Sequence, residues 1–255
     1  MTTALITGGT SGIGAAFARH LADRGTDLIL VARNPERLQE HADQLHRQYG
    51  VWVEIFPADL ADRADVTRVQ ERLEDPDRPV DLLVNNAGFG LHSNLLSTDT
   101  AEDERGFDVM IRAMYLLGGA AARAMTARGH GTIINTSSSS GYITMGNYSA
   151  IKSWTTTWSE SLATQLRGTG VTVTTLCPGW VRTEFHDRAG INKGSIPSWA
   201  WVDVDDVARD GLAAADRGRV ISVATVPWKI ATALAQVAPR GLVRAVSAKL
   251  TSKRH

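Results

Sequence analysis

One cysteine, Cys177, is the only thiol in this chain. That excludes an internal disulfide and suits a reducing compartment, so the expected location is cytoplasmic. Cys177 itself reads as a small buried residue at a strand end. No apolar run approaches the ~18 residues of a membrane span. Met1 to Thr7 show no basic stretch followed by a long apolar one, so no secretion signal is expected. Net charge is also missing. The 27 basic side chains are matched by 27 acidic ones, which gives no reason to expect a nucleic-acid partner. No internal repeat, no low-complexity segment and no set of metal ligands stands out. The last absence is local. After Asp216 there is no acidic residue but eight basic ones, leaving residues 1–216 with 19 basic against 27 acidic, a net −8.

What is present is an apolar content of 43% over 255 residues, enough for one large α/β domain with a real core. Short apolar runs read as strands: Ala4–Ile6, Leu28–Val31, Val51–Ile55, Val80–Val84, Thr132–Asn135, Val171–Leu176 and Val220–Val223. Between them lie helical patterns at Ala15–Arg24, Pro35–Tyr49, Asp62–Glu74, 104–128, a helix opening near Tyr148, and Asp205–Arg217. Strands alternating with helices predict a parallel sheet covered on both faces. Ligands in such sheets bind at the carboxyl ends of the strands. In the 104–128 helix, the Gly118-Gly119 pair costs helix stability and implies close backbone packing, with another subunit as one candidate neighbour.

Chemistry-bearing residues collect at those ends. After the first strand comes Thr7-Gly8-Gly9-Thr10-Ser11-Gly12-Ile13-Gly14, then a helix. Glycines at this turn let backbone approach a pyrophosphate, and the helix N-terminus offers it free N–H groups. Arg33 ends the second strand with no acid beside it. An acid there would favour NAD(H); an Arg pairs with a 2′-phosphate, so NADP(H) is the expected cofactor, NAD(H) the other candidate, and Ser11 adds a hydroxyl to the same phosphate. Asp59, followed by Leu60, either reaches the adenine amine or caps the next helix. Asn85-Asn86-Ala87-Gly88 ends the fourth strand with small residues beside the adenosine half. The serine run Ser137–Ser140 ends the fifth. Tyr148 and Lys152 are four apart and share a helix face. A phenol titrates near ~10. A neighbouring ammonium is expected to lower that value, so the pair can exchange a proton with an alkoxide or alcohol near neutrality. Beyond the sixth strand lie Pro178-Gly179-Trp180-Val181-Arg182-Thr183, then an irregular stretch, 184–203, whose aromatic and aliphatic side chains predict a lid over an apolar substrate.

TGGTSGIG (7–14), NNAG (85–88), the serine run, YSAIK (148–152) and PGWVRT (178–183) together resemble the short-chain dehydrogenase/reductase family, over essentially the whole chain to about residue 224. The resemblance implies a Rossmann-like, doubly wound parallel sheet in three α/β/α layers that binds NAD(P)(H), and usually a homodimer or homotetramer. It implies Tyr148 as acid–base and Lys152 as ribose ligand and modulator of the phenol. Ser138 would orient the carbonyl. The backbone from Pro178 and Gly179 through Val181 to Thr183 would hold the nicotinamide amide. Gly8, Thr10, Ser11, Gly12, Ile13 and Gly14, with Arg33, Asp59, Leu60, Asn86, Ala87 and Gly88, complete the expected cofactor site. The chain departs from the family at two places. The asparagine thought to hold a relay water aligns with Met110, and no Asn occurs between Asn94 and Asn135. The segment from the serines to Tyr148 is about three residues shorter than usual, which leaves Ser139 and Ser140 as alternatives to Ser138.

Residues 1–224 therefore read as the catalytic domain, and 225–255 as a basic, amphipathic C-terminal extension. Its apolar positions Ile230, Leu234, Val237, then Leu242, Val243, Val246 and Leu250 fall at helical spacing, broken at Pro239. The extension either covers the core or cleft, or makes peripheral membrane contact. The expected activity is hydride transfer between NADP(H) and a ketone or secondary alcohol of an apolar molecule. The alternative is a non-catalytic NADP(H)-binding sensor or scaffold.

Overall fold

The structure, a computed structural model, describes residues 2–91, 94–182 and 200–251. Seven parallel strands form one sheet in the order β3-β2-β1-β4-β5-β6-β9. They are β1 (Thr3–Thr7), β2 (Asp27–Ala32), β3 (Val53–Pro57), β4 (Leu82–Asn85), β5 (Gly131–Thr136), β6 (Val171–Leu176) and β9 (Ile221–Ser222). A two-stranded parallel ribbon, β7 (Trp180–Val181) with β8 (Trp201–Val202), stands apart. The strand order reverses between β1 and β4, and that switch point opens a crevice at the strands' carboxyl ends.

Alternation along the strands builds two cores. Ala4, Ile6, Leu28 and Leu30 face one layer with Phe17, Leu38 and Leu212, while Leu5, Ile29, Val31 and Leu83 face the other with Met110, Leu117 and Met125. The helices are α1 (Gly12–Asp23), α2 (Pro35–Tyr49), α3 (Arg63–Glu74), α4 (Ala101–Phe107), α5 (Met114–Arg128), α6 (Gly146–Gln165), α7 (Val204–Asp216), α8 (Val226–Val237) and α9 (Arg240–Thr251). Phe17, Leu28 and Leu30 are fully buried, each worth roughly 1.5–3 kcal/mol.

Local stereochemistry sets the helix ends. Asn34 accepts from the Arg37 N–H at 2.6 Å ahead of Pro35, and Gly50 stops α2 at φ 73°. Asp62 caps α3 through the Ala64 and Asp65 N–H groups, so the capping alternative for Asp59 falls to its neighbour. Residues 104–128 are not one α-helix. Asp108–Ala113 form a π-helical segment between α4 and α5. Gly118 packs inside the chain, since a Cβ there would lie 2.5 Å from Cη2 of Trp158; its close neighbour is α6. Of the expected lid, 184–199 lies outside the described residues, as does Thr183.

Candidate active site

The glycine turn is built by close approach. Gly8 and Gly12 take φ 67° and 53°, a region that disfavours side chains. A Cβ on Gly14 would run into the Gly8 carbonyl oxygen and come within 2.6 Å of Asn86 Nδ2. Asn86 stitches the turn to β4. Its Nδ2 donates to Thr7 O at 3.1 Å and Gly8 O at 3.4 Å. The Asn86 and Ala87 N–H groups both donate to Thr7 Oγ1, at 2.9 and 3.0 Å. Ser11 is the N-cap of α1 and its hydroxyl makes no cap bond, whereas Asn34, Asp62 and Asp203 cap their helices. The first N–H groups of α1 therefore await an acceptor, and a dinucleotide phosphate fits this turn. Ile13 packs on the core, Leu60 is buried, and Gly88 lies against Met110; these three can serve a cofactor chiefly through backbone and shape.

Beside Thr10, Ser11 and Gly12 is a cavity of about 400 Å³ also lined by Arg19, Arg37, His41 and Arg182. Arg19 is held by Asp205 at 2.8 Å. Burial first, then the charges of Arg19 and Arg37, hold His41 below the usual imidazole range, so its ring is neutral at pH 7. Sequence reasoning missed Arg37 and His41. Their spacing of four on α2 was visible, but their approach to Ser11 was not. Arg33 is exposed and does not line this cavity. Its field acts on Asp59, an acid the fold brings near it although none lies beside it in sequence. Burial draws the Asp59 carboxyl upward, but the Arg105 hydrogen bonds, at 2.8 and 2.9 Å, the Ala61 N–H and the charges of Arg105 and Arg33 together hold it below the ordinary carboxylate range.

Strand β5 delivers the four serines, and the fold separates their tasks. Ser137 Oγ donates to Lys152 O at 2.7 Å and lies 2.8 Å from Thr156 Oγ1, anchoring α6. Ser138 shares a hydrogen bond with the Tyr148 phenol and accepts from the Ser140 N–H at 3.2 Å. The Ser139 N–H donates to Pro178 O at 2.9 Å. Ser140 Oγ is buried without a partner among the described residues. The short link from Ser138 to Tyr148 closes through a 3-10 turn, Ser139–Tyr142. Gly141 lets that turn rest on α6, since a Cβ there would lie 2.9 Å from the Lys152 carbonyl.

Tyr148 and Lys152 share a face as their spacing predicts. Lys152 Nζ lies 5.6 Å from the centre of the Tyr148 ring and donates to Thr136 O at 2.8 Å. The electrostatic expectation is reversed. Burial pushes the phenol above its ordinary value of 10, and the Ser138 bond offsets only part of this. Lys152 is 3% exposed, and burial pulls its ammonium down to about 8. Burial is the largest cause of both shifts, with the charge of Cys177 opposing it at Lys152.

Three buried amide and hydroxyl groups behind the site went unread in the sequence. Asn85 Nδ2 donates to Asn135 Oδ1 at 3.1 Å, and Asn135 Nδ2 to Ser159 Oγ at 2.9 Å. This chain joins β4 and β5 to α6. Its only trace in the sequence is a polar residue closing each apolar strand. Met110 is fully buried in the π-helical segment, and its Sδ would lie 3.1 Å from a Cβ on Gly88. A thioether donates no hydrogen bond there. After β6, Gly179 lies under the indole of Trp228 so tightly that a Cβ would overlap the ring. Trp228 Nε1 donates to Ala200 O at 3.0 Å. Val181 is buried in β7. Cys177 is buried, its thiol pushed up by burial, with Tyr142 Oη at 3.7 Å.

The family profile described as short chain dehydrogenase matches residues 2–193. An uncharacterized oxidoreductase of Staphylococcus saprophyticus is 34% identical over 183 residues, covering 71% of this chain and 78% of that protein. Sulfoacetaldehyde reductase 2 of Chromohalobacter salexigens is 36% identical over 186 residues, covering 71% and 73%. A short-chain dehydrogenase from Sphingobium yanoikuyae, solved in complex with NADPH, superposes with a TM-score of 0.82 at 34% identity, covering 88% and 87%. A bulky-bulky ketone specific alcohol dehydrogenase from Comamonas testosteroni superposes with a TM-score of 0.78 at 29% identity, covering 88% and 86%.

Proposed function

Since the chain belongs to the short-chain dehydrogenase/reductase family, we propose that it is an NADP(H)-dependent oxidoreductase interconverting a ketone and a secondary alcohol of an apolar small molecule. The observation that carries this reading is the Ser138–Tyr148 hydrogen bond with Lys152 Nζ 5.6 Å from the same ring. A bound nicotinamide supplies or accepts the hydride at the carbonyl carbon. The turn at Gly8, Gly12 and Gly14 and the N-terminus of α1 hold the pyrophosphate. Ser11, Arg33 and Arg37 meet the 2′-phosphate. Lys152 holds the nicotinamide ribose. The Ser138 hydroxyl donates to the substrate carbonyl oxygen, and Tyr148 Oη passes its proton to that oxygen as it becomes an alkoxide. The same phenol gives its proton in ketone reduction and takes one back in alcohol oxidation.

The test is Tyr148→Phe. NADPH oxidation with a panel of bulky ketones should fall at least ~100-fold while NADPH binding persists. Full turnover by this variant would sink the reading. A non-catalytic sensor rests on Met110 and the short link from the serines to Tyr148, and the grouping of Ser138, Tyr148 and Lys152 counts against it. We further infer a cytoplasmic homo-oligomer. Tyr115 on α5 stays 54% exposed beside Trp158, itself stacked on Trp154; light scattering gives the subunit count.

A further inference from the structure

Helices α8 and α9 have two faces. The inner faces are tied to the active-site loops. Trp228 covers Gly179 and bonds Ala200. Thr232, Val243 and Ser247 are buried, and Ser247 Oγ accepts the Thr144 N–H at 3.1 Å. These contacts fix the orientation of the pair. The outer faces are apolar and open. Val226, Ile230, Leu234 and Val237 are 65, 57, 61 and 81% exposed, and Leu242 and Val246 on α9 are 57 and 49% exposed. Ile230 and Leu234 each lie two positions beyond an inner residue, Trp228 and Thr232, about half a turn round the helix, so this stripe points away from the body. Lys229 follows Val226 by three positions and Lys249 follows Leu242 by seven, spacings that share a face. No acidic residue follows Asp216, while residues 1–216 carry a net −8.

We propose that α8 and α9 dock on the surface of an anionic lipid bilayer, with the apolar stripe in the acyl boundary and Lys229 and Lys249 at the headgroups. Charge selects this occupant. Neither helix carries a carboxylate that an anionic surface would repel, and such a surface complements Lys229 and Lys249. The contact is peripheral: among the described residues no helix is long and apolar enough to cross a membrane. The docking surface does not depend on which reaction the active site performs.

The test is co-sedimentation of the full chain with phosphatidylcholine vesicles with and without phosphatidylglycerol. Binding is expected only to the anionic vesicles, and added salt should release it. Lys229→Ala or Lys249→Ala should each weaken binding about five-fold. Ile230→Glu with Leu234→Glu should weaken it at least about ten-fold while leaving circular dichroism and NADPH affinity unchanged. No sedimentation, or equal sedimentation with neutral and anionic vesicles, overturns the proposal. So does an oligomer that Ile230→Glu with Leu234→Glu splits in light scattering without vesicle binding, which would assign the stripe to a second copy.

Discussion

Gly179 and Trp228 touch so closely that no side chain fits between them. One belongs to the loop that follows β6, the other to the first C-terminal helix. The helix thus bears directly on the loop expected to hold the nicotinamide, and through Ala200 on the segment that precedes α7. Gly179→Ala is expected to cost roughly 1–3 kcal/mol by overpacking and to raise KM for NADPH. Trp228→Leu should relieve part of that cost, so a double-mutant cycle in urea unfolding should show coupling. Strictly additive effects would contradict the contact.

The glycine turn yields a contrast within one residue type. Gly14→Ala places a methyl against backbone, the Gly8 carbonyl, which cannot move without opening the turn. NADPH binding by fluorescence titration should be lost. Gly119→Ala meets only the end of the Arg123 side chain at 3.4 Å. It should bind NADPH normally and be stabilised by up to ~1 kcal/mol through helix propensity.

On the proposed reading, Arg33 and Arg37 would divide the recognition of a 2′-phosphate. Arg37 lines the cavity beside Ser11, and Arg33 stands in the field of Asp59. Arg37→Ala should weaken NADPH binding roughly 10- to 100-fold, as expected for a charge-assisted hydrogen bond, and leave NADH binding nearly unchanged. Arg33→Asp should shift preference towards NADH. Equal losses for both cofactors in calorimetry would refute the assignment.

Lys152 links activity and stability to pH. Burial lowers its ammonium from 10.5 to about 8. Between those values the unfolded chain binds more protons than the folded one, so stability rises with pH across that window. Below pH 8 the penalty is present in full, about 3 kcal/mol. Tyr148 acts in the opposite sense only above pH 10, where the unfolded phenol ionises and the folded one does not. The buried Cys177 thiol, held up by burial, opposes this in the same window, so urea midpoints measured from pH 8 to 10 should rise in the native protein relative to Lys152→Met, in which they should fall. The kcat/KM for NADPH reports the free enzyme and should decline above pH 8 as the ammonium is lost.

Much of this protein was legible from neighbours in the chain. Val171–Leu176 appears as read, Asn34 and Gly50 bracket α2, and Tyr148 and Lys152 share a face. Such features follow from periodicity and backbone stereochemistry, which act over a few residues and are written in order. Tertiary structure decided the rest. It put Ser138, of four adjacent serines, in hydrogen-bond contact with Tyr148, placed Arg37 rather than Arg33 beside Ser11, filled the Gly118 notch with Trp158, and put Trp228 on Gly179. It also set the sign of the phenol's shift. A Tyr and a Lys four apart imply attraction, but only packing determines how much water each loses, and here burial is the largest cause of both shifts.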